Sequence, residues 1–192
     1  MSSTPLPTGA YLTGSLLLAM PGMDDTRFES SVIYICSHDD SGAMGLVINQ
    51  SFPDLSFQGL LQQLDIPTDD ACPDTTVHLG GPVEPGRGFV LHSADYAQES
   101  TLIVSESMAL SATIDILQEI AAGRGPAHHL VALGYAGWGP GQLEQEIQHN
   151  GWLTASADEE IVFNTDLDHK WPRAMRMLGI EPAMLSTEAG HA

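Results

Sequence analysis

Two glycine-rich segments at the ends of predicted strands contain most of the residues that could bind a ligand. They cover residues 80–88 and 134–141. Clustered glycines permit unusual backbone dihedrals and the close approach of a ligand or of another backbone segment. We expect both segments to be turns or loops between strands, and the pattern leaves open whether they also bind a ligand or only connect the strands. The candidate binding residues in these segments and their flanks are Gly80, Gly81, Pro82, Arg87, His92, Tyr135, Gly137, Trp138, Gln142 and Glu146.

The second segment combines large aromatic side chains with the start of a predicted helix. Tyr135 and Trp138 lie among four glycines, and Gln142 and Glu146 follow at i, i+4 spacing on one helix face. Backbone N–H groups at a helix start favour an anion, whereas the glutamates of this helix oppose one. The helix face is either a site or a solvated surface. Trp138 either lines a binding site, in which case we expect its side chain to be partly accessible, or is a buried core residue.

Arg87 and His92 could take part in ionic or acid–base chemistry. Arg87 is one of only six cations and forms either a structural ion pair or a clamp on a ligand. His92 is followed by Ser93 at a strand end, and such a histidine could be half of a catalytic dyad. The sequence shows no third group that would orient the imidazole ring. The alternative to a binding module is therefore a hydrolase-like enzyme at the converging glycine-rich segments, with His92, Arg87 and Glu146 as acid, clamp and base.

The sequence predicts neither a metal site nor a cofactor. A zinc site needs His or Cys in pairs spaced two to four residues apart, and none of the eight histidines forms such a pair. The G-x-S-x-G nucleophile elbow, the P-loop and the G-x-G-x-x-G dinucleotide motif are also absent.

The net charge restricts the class of partner. Six Lys and Arg oppose 25 Asp and Glu, which gives a formal charge of −19 at pH 7. Nucleic-acid binding requires a basic surface that displaces counterions from phosphates, and so few cations cannot form one. We expect no direct nucleic-acid binding and no attraction to an anionic membrane. A protein partner or a small ligand, of unknown identity, is the expectation that remains.

Composition and order along the chain predict one globular domain in the cytoplasm. Hydrophobic residues make up 43% of the 192 residues, far more than in a disordered acidic chain. The first basic residue, Arg27, comes after the first apolar run, which is not the order of a secretory signal. No window reaches the ~20 apolar residues of a membrane span. We expect a flexible tail at residues 1–10, one domain at residues 11–180 and a weakly ordered tail at residues 181–192.

Hydrophobic spacing predicts the elements that must position the candidates. Short apolar runs predict strands near residues 15–20, 32–36, 46–48, 77–79, 89–91, 101–105, 130–133 and 152–153. Helical spacing predicts a helix capped by Ser56 and a helix from Ser111 that ends at a left-handed Gly123. It also predicts a helix marked by Leu143 and Ile147 with Pro140 near its start, and a last helix from Trp171 with Pro172 in its first turn. Residues 156–163 fit either a capped helix or a strand.

This order of elements indicates an α+β fold. Strands come in runs interrupted by single helices, so neither a βαβ alternation nor an all-β pattern applies. The second and third strands form a hairpin through the turn at residues 39–42. We expect a single domain with a bent, mixed or antiparallel sheet, in which the two glycine-rich segments lie side by side and form one wall of a concavity.

Three separated motifs resemble the bacterial YqgE/AlgH family. They are His-Leu-Gly-Gly-Pro-Val at residues 78–83, Arg-Gly-Phe-Val-Leu-His at residues 87–92 and Gly-Tyr-Ala-Gly-Trp-Gly-Pro-Gly-Gln-Leu-Glu-Gln-Glu at residues 134–146. The resemblance extends over residues 9–180. It implies a bent sheet that partly closes into a small barrel surrounded by helices, and it brings no assigned catalytic residue.

The family's biochemical activity is not established, and some members carry the label of transcriptional regulator. A charge of −19 is incompatible with direct binding to operator DNA. We therefore expect a non-enzymatic regulatory or binding module that acts through a protein partner or a small ligand.

Thermal stability should rise with salt. Repulsion among the surplus carboxylates opposes the compact state, and dissolved ions screen it over a Debye length of ~10 Å at 0.1 M. The melting temperature at pH 7.5 should therefore increase between low salt and about 0.5 M NaCl. A flat or falling melting temperature in scanning calorimetry would show that this repulsion does not limit stability.

Overall fold

A curled ten-stranded sheet forms the centre of the structure, a computed structural model that describes residues 11–22 and 25–185. The expected tail at residues 1–10 lies outside the described residues, as do residues 186–192 of the other tail. The strands are β1 (Ser15–Ala19), β2 (Val32–Asp39), β3 (Gly42–Val47), β4 (Ser51–Ser56), β5 (Thr76–Leu79), β6 (Val83–Ser93), β7 (Leu102–Ile103), β8 (Met108–Ser111), β9 (His129–Trp138) and β10 (Trp152–Ser156).

The strand order is β10-β1-β2-β3-β9-β6-β8-β7, and β4 joins through β5, which pairs with β9. Among the described strands, every pairing is antiparallel except that of β5 with β9. The predicted hairpin is confirmed, since β2 and β3 pair across a turn with Asp39 opposite Gly42. The curled sheet forms a half-barrel with helices around it. The predicted single α+β domain with a bent, mixed sheet is therefore confirmed.

Strand β9 connects the two halves of the sheet. Its residues 131–133 pair with β5, and its residues 136–138 pair with β3. Gly134, with a φ of +75°, lies between these two stretches. We expected residues 134–141 to form a turn, and this was wrong for residues 134–138, which continue the strand. The sequence pattern hides this continuation because glycines normally weaken a strand.

In the described part of the chain, four α-helices pack around the sheet: α1 (Phe57–Gln63), α2 (Ile114–Ala121), α3 (Gln142–Gln148) and α4 (Leu167–Met177). The backbone N–H of Gly59 donates to Ser56 Oγ at 2.9 Å, so Ser56 caps α1 as predicted. Gly123 follows α2 with a φ of +78°, the predicted left-handed end of that helix.

Several element boundaries differ from the predictions. Strands β4 and β8 were missed, and β6 begins at Val83, inside the segment that we expected to be a loop. Within residues 156–163, which fitted either a helix or a strand, β10 ends at Ser156 and a π-helical turn covers Glu160–Asn164. The N–H of Ile161 donates to Asp158 Oδ1 at 2.8 Å at the start of this turn, so the helical alternative is the closer one. Helix α4 begins at Leu167, so Pro172 lies in its second turn rather than its first.

The sheet is buried on both faces, which explains its continuous apolar runs. Alternate residues of β1 enter two different clusters: Leu16 and Leu18 pack in one, and Leu17 and Ala19 in the other. Successive strand residues point to opposite faces, so a strand covered on both sides needs apolar residues at every position. A third cluster lies between β5, β9, α1 and α2.

Lys170 of α4 is a buried cation held by backbone carbonyls. Only 2% of it is exposed, and its Nζ donates to the carbonyl oxygens of Ile48 and Val162, each at 2.8 Å. Burial lowers the pKa of Lys170 to about 8. The pKa of His78 is lowered to about 4, chiefly by burial and secondly by the nearby positive charge of Lys170. Lys170 thus joins α4 and the π-helical turn to the end of β3.

The stability contribution of Lys170 should increase at alkaline pH. Its pKa is about 8 when folded, against an ordinary 10.5, so in this window the unfolded chain keeps a proton that the folded protein has released. The free energy of unfolding must then rise with pH across the window. Urea unfolding measures this for the wild type and for Lys170→Met at pH 7.5 and at pH 10. Between these two pH values, the free energy of unfolding of the wild type should rise by on the order of 2 kcal/mol relative to that of the variant. Parallel pH profiles would contradict a proton released from Lys170.

Candidate functional site

The two glycine-rich segments lie against each other, as predicted. The N–H of Gly80 donates to the carbonyl of Leu133 at 2.8 Å. A Cβ atom on Gly81 would lie 2.1 Å from the carbonyl carbon of Tyr135, and one on Gly134 would lie 2.4 Å from the carbonyl oxygen of Gly81. No side chain fits at these distances. Gly80 and Gly81 therefore allow two backbone segments to meet, and neither residue lines one of the clefts described next.

Two clefts open beside this contact, and both include Val83, Gly137 and Trp138. The Glu146 cleft has a volume of about 540 Å³. Its lining includes Asp25, Arg27, Phe28, Pro82, Val83, Gly137, Trp138, Gln142, Glu146, Asn150 and Trp152. The Arg87 cleft has a volume of about 600 Å³. Its lining includes Asp39, Met44, Val83, Arg87, Phe89, Leu102, Leu110, Tyr135, Gly137 and Trp138.

Three N–H donors fix the carboxylate of Glu146. Its Oε1 accepts hydrogen bonds from Trp138 Nε1 at 3.2 Å and from Trp152 Nε1 at 3.0 Å. Its Oε2 accepts from Gln142 Nε2 at 3.0 Å, and Gln142 Oε1 in turn accepts from the N–H of Gly139. The i, i+4 pair on α3 is therefore more than a solvated polar row, although Gln142 itself is exposed. It holds the start of the helix against the end of β9.

The two indoles packed beneath this carboxylate belong to the core. The rings of Trp138 and Trp152 meet edge to face at 6.1 Å, and Phe28 meets Trp152 at 5.7 Å. Trp138 is only 7% exposed and Trp152 only 2%. The expectation that Trp138 is partly accessible was wrong, because its ring packs in one cluster with Leu17, Ile33 and their neighbours, although the residue also contributes to the lining of both clefts.

The Glu146 cleft also contains an internal ion pair. Arg27 donates to both carboxylate oxygens of Asp25, at 3.0 and 2.7 Å, and this lowers the pKa of Asp25. The guanidinium of Arg27 also lies 5.7 Å from the ring centroid of Phe28. Among the residues that the structure describes, no Lys, Arg or His side chain pairs with Glu146.

In the Arg87 cleft, the cation has partners on the protein itself. Arg87 lies 3.4 Å from a carboxylate oxygen of Glu84 and 5.1 Å from the ring centroid of Phe89. Tyr135 meets Phe89 edge to face at 5.8 Å, and reduced hydration together with Glu84 raises the pKa of the Tyr135 phenol. The structural ion pair that the sequence left open for Arg87 is present, although both side chains are about half exposed.

His92 lies in neither cleft. It is fully buried, its Nε2 is 2.8 Å from Ser111 Oγ, and its Nδ1 is 2.8 Å from the carbonyl oxygen of Ser93. Burial lowers the pKa of His92. The proposed dyad with the Ser93 hydroxyl does not form. His92, Arg87 and Glu146 occupy three separate places, so the geometry required for the hydrolase-like alternative is not found.

Sequence reasoning missed Phe28, Trp152 and Asn150 as parts of the Glu146 cleft. Asn150, with a φ of +59°, turns the chain between α3 and β10, and the Asn150-Gly151 pair is a recognisable turn signal. No local signal connects Phe28 or Trp152 with Trp138. Phe28 lies in a short 3-10 helix before β2, and Trp152 is positioned by the pairing of β10 with β1, where it lies opposite Ala19.

The described residues contain no group of three or more His, Cys, Asp or Glu side chains placed to hold a metal ion. None of the helices in the described part of the chain is both long and apolar enough to cross a membrane.

Comparison with known proteins places this architecture in a class of small α+β half-barrel proteins. The solution structure of the AlgH protein from Pseudomonas aeruginosa matches with a TM-score of 0.79 and 41% identity over 100% of both chains. A crystal structure from Corynebacterium diphtheriae, at 21% identity and a TM-score of 0.69 over 86% of each chain, shares the fold. A UPF0301 protein of Cereibacter sphaeroides is 56% identical over 94% of this chain and 99% of its own length.

The profile of the AlgH-like family matches residues 16–183. A UPF0301 protein of Rhodospirillum rubrum is 54% identical over 95% of both chains. The chain therefore belongs to the AlgH-like family, and the resemblance seen in its motifs is confirmed. No biochemical activity comes with this assignment.

Replacing Trp138 should cost core stability. Trp138→Ala removes a buried ring and should lower the free energy of unfolding by roughly 3–5 kcal/mol. Trp138→Phe, the matched control, keeps an aromatic ring and loses the Nε1 donor to Glu146, so its loss should be clearly smaller. Urea unfolding monitored by circular dichroism measures both. A loss below about 1 kcal/mol for the alanine variant would contradict the role of Trp138 in the core.

Proposed function

We propose that this protein is a non-enzymatic regulatory module of the cytoplasm that binds a protein partner, or alternatively a small ligand, in the Glu146 cleft. The observation that carries the proposal is the fixed carboxylate of Glu146, which lies in a cleft of about 540 Å³ without a cationic partner among the described residues. A carboxylate that is already fixed in place and has no cationic partner is suited to recognition, because a ligand's hydrogen-bond donor can bind it without any rearrangement of the protein.

The cleft also unites both glycine-rich segments. Pro82 and Val83 come from the first, and Gly137 and Trp138 come from the second. The backbone contact between Gly81 and Tyr135 keeps these walls at a fixed separation. A rigid scaffold that presents a few polar groups from loops and strand ends is typical of binding sites.

The separation of the candidate catalytic residues favours a binding module over an enzyme. An acid, a clamp and a base must surround the same substrate. His92 is buried against Ser111, Arg87 lies beside Glu84 in one cleft, and Glu146 lies in the other. The family label of transcriptional regulator agrees with regulation through a bound protein, for which a charge of −19 is no obstacle.

Site-specific photocrosslinking in living cells tests the proposal. A benzophenone amino acid at His149, an exposed residue that lines the Glu146 cleft, should crosslink to a defined protein. The matched control is the same amino acid at Gln63, which is exposed on α1 and lines neither cleft. The partner should be captured from the first position and not from the second. Identical products at both positions, or none at His149, would contradict a protein-binding role for this cleft.

A further inference from the structure

We propose that the Glu146 cleft recognises the guanidinium group of an arginine side chain, presented by a basic segment of a protein partner. This inference rests on the proposed function and specifies the chemistry of the same site. The Oε2 atom of Glu146 accepts an N–H of the guanidinium, and the apolar walls of the cleft contact the methylene stem.

The hydrogen bonds of Glu146 leave room for one more donor. Each carboxylate oxygen can accept two hydrogen bonds. Oε1 already accepts two, from the indoles of Trp138 and Trp152, whereas Oε2 accepts only one, from Gln142. Among the described residues, Oε2 thus keeps one acceptor position. Gln142 is an exposed residue and Glu146 is half-buried, whereas the two indoles that donate to Oε1 belong to buried residues.

The charges in the cleft favour a cation over a neutral donor. Asp25 is already neutralised by the two-pronged contact with Arg27, at 3.0 and 2.7 Å. Glu146 has no such partner in the part of the chain that the structure describes. One uncompensated negative charge is therefore available, and a hydrogen bond between two charged groups is about twice as strong as one between neutral groups.

The rigidity of Glu146 favours a planar, directional donor. A free glutamate loses side-chain entropy when it forms an ion pair, which is why exposed pairs contribute little to stability. Here three N–H groups already hold the carboxylate, so this entropy has been lost before the partner binds. A guanidinium presents its donors in a fixed plane, whereas an ammonium is a compact, strongly hydrated point charge.

The cleft and the chain as a whole suit a basic partner. Pro82 and Val83 provide apolar wall for the methylene stem of an arginine, which packs on such surfaces while its head group bonds to a carboxylate. The formal charge of −19 attracts basic segments at long range and speeds their encounter with the cleft.

NMR titration of the full-length ¹⁵N-labelled protein tests the inference through its indole N–H signals. The probe is Nα-acetyl-arginine amide, and the control is Nα-acetyl-citrulline amide, a neutral analogue of nearly the same shape, at equal ionic strength. Arginine should shift the Trp138 and Trp152 signals saturably, with a response at least five-fold larger than that of citrulline. The Trp171 indole, which donates to the carbonyl of Ala19 at 3.0 Å and lies outside the cleft, should not move.

Two variants show whether the response depends on the charge of Glu146. Glu146→Gln keeps an acceptor oxygen and removes the charge, so the response to arginine should fall at least ten-fold. Glu106→Gln makes the same change at an exposed position outside the cleft and should leave the response intact. An unchanged Trp171 signal verifies the fold of each variant.

The wild-type protein gives an independent test. Nα-acetyl-lysine amide should shift the two cleft indoles less than half as far as arginine does. Equal responses to arginine and lysine, or to arginine and citrulline, would overturn the assignment, as would a shift of Trp171 in parallel with the others. If arginine gives no response while crosslinking at His149 still captures a partner, the arginine inference fails and the binding module stands. If crosslinking fails as well, both proposals fail.

Discussion

The rest of the structure depends on one constraint, the close backbone contact between the two glycine-rich segments at Gly81 and Gly134. Gly81 and Gly134 approach each other so closely that a Cβ atom on either would overlap the opposite backbone. This contact allows β9 to pair with β5 over one half and with β3 over the other. Because both halves share one strand, the sheet curls into a half-barrel, and the Glu146 and Arg87 clefts open where β9 changes neighbours.

The hydrogen bonds of Glu146 extend this constraint from the backbone to the surface. Trp138 closes β9, Trp152 opens β10, and both indoles donate to the same carboxylate oxygen. A buried indole N–H needs an acceptor, and the carboxylate supplies it at the boundary between core and solvent. The same bonds that satisfy two core residues hold a charged group still at the edge of a cleft, so the packing of this region and its capacity to bind a ligand have one physical origin.

The candidate site was predictable where its residues are close in sequence. Gln142 and Glu146 follow from helical spacing, and Trp138 lies directly before their helix, so a single segment contains three of the interacting side chains. Phe28 and Trp152 were not predictable, since pairing of β10 with the distant strand β1 positions Trp152, and Phe28 reaches Trp152 from a short 3-10 helix far away in the sequence. His92 was misassigned because its position at a strand end does not reveal that the ring lies entirely inside the core.

The sequence by itself determined the fold class, the β2–β3 hairpin, the cap of α1 and the end of α2. Each of these depends on the local spacing and order of residue types, which no later contact in the folded chain alters. Only the tertiary structure decided that residues 134–138 are a strand, that Trp138 is buried, and that Glu146 meets two indoles while His92 lies apart. These outcomes depend on contacts between residues far apart in the chain, and local composition does not encode which of two allowed environments a glycine, a tryptophan or a histidine enters.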